Sequence, residues 1–274
     1  MRQKAAVSCP LSSSSMHSDI LTSVTGKRVR HSQMKADSVR DAVQDHSTQT
    51  LFQQQWQIYS NVLDHNYFYH REVGIQLRTV IKEQAPQSYT FLDIACGDAR
   101  ASVAALQGTA IAQYVGIDLS HAALDLARPT LVNLGCPFTL KHADFVDALS
   151  DWSTPVDVAW IGLSLHHLTG PGKREVLRMV RDALRPGGLL LIYEDTSPDG
   201  EDRDGWLRRW DAMRHVWTAF TDEEWASITA HVHAADFPET ESSWANLGAE
   251  TGFSNVAEVY RMPDDLFRMY RLAP

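Results

Sequence analysis

Apolar residues recur at three- and four-residue steps from Ala36 to about Asp64, through Val39, Val43, Leu51, Phe52, Trp56, Tyr59 and Leu63, and predict a helix. Asn66 can cap a second helix, Tyr67 to about Gln84, which Pro86 stops. The period then shortens. Strand-like runs at Tyr89–Ile94, Gln113–Asp118, Phe138–His142, Val156–Leu163 and Leu189–Glu194 alternate with helical stretches at Ala99–Gln107, Ser120–Leu126 and Gly172–Leu184, with a loop region after Asp144. Such alternation predicts βαβ units and a parallel sheet covered by helices on both faces. Arg185-Pro186-Gly187-Gly188 closes the last of those helices and turns into the fifth strand.

Beyond Glu194 no strand pattern is visible to about residue 240. A polar loop, Asp195–Asp204, precedes helices Gly205–Ala219 and Asp222–Ala234, the second with Thr221 as N-cap. Another helical stretch, Ala245–Thr251, ends at Gly252. Val256–Met262 and Leu266–Leu272 read as a hairpin around Pro263-Asp264-Asp265 that closes the sheet edge.

Composition narrows the function classes. Net charge is −9 and pI about 5.7, so no broad basic face exists to neutralise phosphates, which argues against nucleic acid and against an anionic membrane surface. Cys9, Cys96 and Cys136 are too few and too scattered for a disulfide framework or a zinc set, which fits a reducing, cytoplasmic setting. No apolar run reaches the ~18 residues of a membrane span. Residues 1–35, rich in Ser, Lys and Arg with Asp19 as sole acid, read as a disordered extension or an organelle transit segment. Residues 36–274 are left as one domain, with 195–244 a helical insertion.

The chain is organised around Phe91-Leu92-Asp93-Ile94-Ala95-Cys96-Gly97-Asp98-Ala99-Arg100, a buried strand that breaks into a tight turn and then a helix. Its single glycine does not satisfy the G-x-G-x-x-G dinucleotide pattern. The stretch resembles motif I of class I S-adenosylmethionine-dependent methyltransferases, with Ala95 and Ala99 at positions often held by glycine. Tyr114–Ser120, His142–Phe145, Asp157–Leu168 and Leu184–Leu189 resemble the later motifs of the same superfamily, in the right order. The resemblance implies a doubly wound, seven-stranded, mainly parallel Rossmann-like sheet whose last strand is antiparallel, with a helical lid from the N-terminal helices and the insertion. It implies S-adenosyl-L-methionine held by Asp93, Ala95, Cys96 and Gly97, by Asp118 and Leu119, by Asp144 and Phe145, and by Leu163. Asp118 would take the ribose hydroxyls, Asp144 the adenine amino group, and Phe145 would flank the ring.

The acceptor implied is a small molecule methylated on oxygen or nitrogen. A non-catalytic donor-binding protein and a protein methyltransferase are the alternatives. A base is needed only when the attacking atom must lose a proton. His166 is the first candidate, just beyond the fourth strand; Glu194 and Asp195, ending the fifth, could act as base or neutralise an amine. His167 should face away. Tyr67, Tyr59 or His70 could cover the cofactor mouth, and Trp206, Trp210 and Trp217 either pack the insertion or wall a pocket. His231, His233 and Asp236 resemble a metal cluster, but the two histidines, two apart on a helix, point to different faces, so no metal site is expected.

Overall fold

The computed structural model describes residue 58 and residues 60–274. The expectations for 1–35, for most of the first helix and for Tyr59 lie outside the described residues. In chain order the elements are α1 (His70–Gln84), β1 (Tyr89–Ile94), α2 (Arg100–Leu106), β2 (Ile111–Asp118), α3 (His121–Leu131), β3 (Phe138–His142), α4 (Phe145–Ser150) and β4 (Val156–Gly162). They continue with α5 (Gly170–Ala183), β5 (Leu184–Ser197), α6 (Arg203–Ala212), α7 (Asp222–Ala235), β6 (Glu239–Thr240), α8 (Glu241–Glu250), β7 (Asn255–Arg261) and β8 (Phe267–Ala273).

The sheet order is β3-β2-β1-β4-β5-β8-β7, with β6 added beside β5. Strands β1 to β5 pair in parallel, and β8 runs antiparallel to both β5 and β7. The expected fold class is therefore the observed one. Order reverses direction between β1 and β4, and at such a switch point the loops leaving the strand C-termini part to leave a crevice.

Alternate residues of the central strands face opposite cores. Phe91, Val158 and Leu191 join Val73, Leu77 and Val103 on one face, where α1 and α2 pack. Leu92, Ala159 and Leu190 join Val176, Leu177 and Leu247 on the other, under α5 and α8. Burial on both sides is why these strands read as continuous apolar runs. The insertion helices α6 and α7 add Trp206, Trp210, Trp225 and Val232 to the first face.

Several expected boundaries move. Residues 66–69 form a turn before α1, not its first turn, because Asn66 and Tyr69 take left-handed backbone (φ 57 and 51). Asn66 still serves the helix, its Oδ1 accepting from the Arg71 amide (3.0 Å). Residues 145–150 are helical, since Asp144 Oδ1 accepts from the Val146 amide (2.7 Å) and starts α4. Strand β4 stops at Gly162, because Leu163 turns to φ 54. Strand β5 begins at Leu184, with residues 185–188 looped out between the Val156–Leu184 and Val158–Leu189 pairs. It also continues through Asp195–Ser197, where a loop is expected, because Thr196 and Ser197 pair with Glu239 and Thr240 of β6. Helix α6 ends at Ala212, short of the expected Ala219.

Candidate active site

Strand β1 delivers Asp93 and the following turn to the centre of the sheet's C-terminal edge. Ala95, Gly97 and Ala99 all have positive φ (59, 54 and 60), so the two alanines stand where the backbone asks for glycine. The turn is tied across to β2. Cys96 donates its amide to the Ile117 carbonyl (3.0 Å) and Gly97 its amide to Asp118 Oδ2 (2.7 Å), while Asp118 Oδ1 accepts from the Ser120 amide (2.7 Å). One carboxylate thus sets the spacing of two turns. Gly116 permits this approach: a Cβ there would lie 2.8 Å from Cys96 Sγ and from Leu140.

Asp93 is buried, its Oδ2 accepting from the Tyr114 hydroxyl (2.6 Å). Burial pushes its carboxyl up to about 7 against the pull of hydrogen bonds from Ser102 and Tyr114. The Cys96 thiol is likewise pushed above its ordinary range by burial and by the Asp93 and Asp118 carboxylates.

A cavity of about 310 Å³ opens from this turn. Asp93, Ala95, Cys96 and Gly97 line one end, with Leu163 and Ser164 of the β4 loop beside them. Phe68, His70 and Val73 roof it from the α1 side, Trp206 and Trp210 from α6, Ile228 and Val232 from α7. His70 is held neutral, its imidazole pushed down to about 4 by burial and by Arg100. Asp118, Leu119, Asp144 and Phe145 lie outside this cavity, along the C-terminal ends of β2 and β3, with Leu119 67% exposed.

The far wall is built by a short 3₁₀ turn, Leu165–His167, after β4. Glu194, fully buried at the end of β5, holds this turn. Its Oε1 accepts from the Ser164 and Leu165 amides (both 2.8 Å), and its Oε2 from the His166 amide (3.2 Å) and ring Nδ1 (2.9 Å). Glu194 is thereby committed to positioning. Asp195 faces His166 (3.7 Å to Nδ1) and keeps a buried Oδ2 without a hydrogen-bond partner. Burial pulls the His166 imidazole down, but Asp195, the Glu194 hydrogen bond and Asp236 outweigh it and raise the ring to about 9. Asp195 is raised by burial and by the Asp236 and Glu194 charges, against the opposing pull of His166.

Contrary to the expectation, His167 does not face away. Its ring centroid lies 4.1 Å from that of His166, its Nδ1 is 3.3 Å from Asp236 Oδ1, and both rings line the cavity. Asp236 follows α7 and is brought here by two ties: Phe237 donates its amide to the His166 carbonyl (2.8 Å), and Arg203 Nε donates to the Asp236 carbonyl (2.6 Å). His231 lies edge-on to His167 (5.4 Å), whereas His233 turns outward to Asp211 (2.9 Å), as the two-residue spacing on a helix requires. The buried Lys173 ammonium donates to Glu239 (2.9 Å) and to the Phe237 carbonyl and so anchors the same segment. The sequence groups His231 and Asp236 only in a discounted metal-like cluster and does not mark Lys173; they meet because the chain after α7 is tied to the His166 carbonyl through Phe237 and pairs with β5 through Glu239.

The tryptophans divide by position. Trp206 and Trp210 line the cavity and stack on each other (5.9 Å), while Trp217 and Trp225 pack behind Trp210 (5.0 and 5.5 Å). Trp244 sits in the opposite core, its Nε1 donating to Thr196 (3.2 Å). Tyr67 stacks on Trp217 (4.8 Å) and accepts from the Ala219 amide (2.9 Å), so Phe68 and His70 take the covering place offered to it.

This sheet order, with a turn after β1 tied to an acid ending β2, is the one that the resemblance to class I S-adenosylmethionine-dependent methyltransferases implies. Residues 91–188 match the family model described as a methyltransferase domain. A search of curated proteins finds no match. Among solved structures, the chain is similar to an O-methyltransferase family protein from Burkholderia thailandensis (19% identity, 74% of this chain and 55% of that one, TM-score 0.56). It is also similar to a Nostoc punctiforme protein described as a candidate O-methyltransferase (17%, 74% and 56%, 0.53) and to the CurJ carbon methyltransferase (19%, 72% and 54%, 0.50). The chain spans just over half the length of these structures, and at such identities the likeness establishes the fold. Among the described residues no helix is long and apolar enough to cross a membrane.

Proposed function

We propose that the protein transfers a methyl group from S-adenosyl-L-methionine to an oxygen or nitrogen atom of a small molecule. The observation that carries this reading is a single cavity that joins the β1 turn to the His166–Asp195–Asp236 wall under an aromatic roof. A concave, largely aromatic space of this size suits a small molecule better than a polypeptide lying in a groove.

The residues present fit the donor. The turn at Ala95–Gly97 borders the cavity with little side-chain bulk, and Asp118 stands beside an exposed Leu119, polar and apolar surface side by side. In this reading Asp93 and the turn hold the methionine part. Asp118 takes the ribose, and Leu119, Asp144 and Phe145 border the adenine. When bound, the sulfonium supplies a good leaving group and an electrophilic methyl. The chain's own residues then orient the acceptor and exclude water. Trp206 and Trp210 wall the acceptor, Glu194 positions His166, and the unpartnered Asp195 Oδ2 receives the acceptor's proton.

Calorimetry tests the donor assignment. Two charge-assisted hydrogen bonds at about 1.5–3 kcal/mol each make Asp118→Ala weaken donor binding by roughly 100-fold or more. Unchanged affinity in that variant overturns the reading. Incubation with labelled donor and fractionated metabolites identifies the molecule that acquires the methyl.

A further inference from the structure

His166, His167 and Asp236 form a cluster with the hallmarks of a ligand set. One donor atom from each lies within 4.8 Å of the others. Asp236 Oδ1 is the focus: it lies 3.3 Å from His167 Nδ1 and 3.9 Å from His166 Nε2. It is buried and makes no hydrogen bond, although its side chain is only 7% exposed. A carboxylate oxygen is seldom left this way unless a cation satisfies it.

The partner of His166 sets which ring nitrogen is available. Glu194 Oε2 accepts from Nδ1–H, so an ion would take Nε2, the atom facing Asp236, in place of the ring's second proton. Carboxylate–histidine pairs of this kind orient metal ligands, and Glu194 is itself locked by three backbone amides. With bonds of about 2.0–2.1 Å, tetrahedral ligand atoms stand about 3.3 Å apart, the His167–Asp236 distance; His166 Nε2, 3.9 Å from Asp236, has to move in to complete the set. Two imidazoles and one carboxylate suit zinc-class divalent ions better than magnesium or calcium, which take oxygen ligands. His167 is 45% exposed at the cavity mouth, which leaves an entry path.

We propose that His166, His167 and Asp236 bind one divalent transition-metal ion of the zinc class on the acceptor wall of the cavity, with an open coordination position toward the acceptor. Three protein ligands and one open position are the pattern of a catalytic site. The ion's role, though not its binding, rests on the methyl-transfer reading. There it holds the acceptor's heteroatom and eases loss of its proton to Asp195 Oδ2. The freed electron pair forms the bond to the methyl carbon as the carbon–sulfur bond breaks, its pair passing to sulfur.

The test is metal binding by the full chain, stripped with chelator and dialysed against Zn²⁺ or Co²⁺. About one ion per chain is expected, with a cobalt spectrum of nitrogen and oxygen ligation and no displacement by excess Mg²⁺. Asp236→Asn and His167→Ala should each weaken binding by more than roughly 10-fold. His233→Ala, which changes only the outward-facing histidine, should leave it intact. Thermal melts of the same samples show that the variants are folded. Wild-type protein that takes up no ion overturns the proposal, as does equal uptake by Asp236→Asn and His167→Ala. Donor affinity measured on those samples is a separate readout: its loss in the wild type would sink the methyl-transfer reading and leave the ion standing.

Discussion

Ala95 and Ala99 share nearly the same left-handed backbone yet differ in what surrounds them. The Ala99 methyl is packed in the core at 2% exposure, while Ala95 borders the cavity. An L-residue in this conformation costs roughly 1–2 kcal/mol, and glycine gives back about 0.5–1 kcal/mol of that through its unfolded-state freedom. Ala95→Gly should therefore raise stability by about 0.5–1 kcal/mol in denaturant melts. Ala99→Gly should be close to neutral, because a lost buried methyl costs about 0.8 kcal/mol. Equal effects would show that the buried Ala99 methyl is not what separates the two sites. At this scale the sequence was informative about the acids but not about their partners. Asp118 is legible as the acid that ends the second strand; that its two oxygens already link Gly97 to Ser120 is not.

Among the elements, β1 has the boundaries its apolar run predicts, because a strand buried on both faces carries an uninterrupted signal; β3 also matches, although its residues only alternate between half-buried and exposed. The C-terminal end of β5 does not, because Asp195–Ser197 are polar, and Thr196 and Ser197 pair with a two-residue strand 43 positions on in the sequence. Helix α7 was readable at its start. Thr221 accepts from the Glu224 amide while Glu224 reaches back to the Thr221 amide, a complete capping box. Thr221→Ala should lower stability by about 0.5–2 kcal/mol. Because α7 also carries His231 and leads to Asp236, the same change should loosen the cavity mouth, read as faster amide exchange in 222–236 than in α5. Uniform exchange across both helices would refute that coupling.

Across the whole molecule, the cavity wall that carries His166 and Asp236 depends on a join between distant segments. Lys173 on α5, wholly buried, reaches Glu239 and the Phe237 carbonyl and pins the chain that carries Asp236 against the sheet. Removing one partner of a buried pair strands the other, at a cost of about 3–5 kcal/mol. Lys173→Met should destabilise by about 3 kcal/mol, and adding Glu239→Leu should recover part of it. A double variant no more stable than the single would place the loss in packing. The sequence by itself determined the parallel sheet, the turn after β1 and the acids at the strand ends, because hydrophobic period and turn chemistry are local. Only the tertiary structure decided that His166, His167, Asp195 and Asp236 share one wall, and that Glu194 is a scaffold for it. Those meetings are set by the ties of residues 237–240 to the His166 carbonyl and to β5, and no local pattern encodes a tie between segments so far apart in sequence.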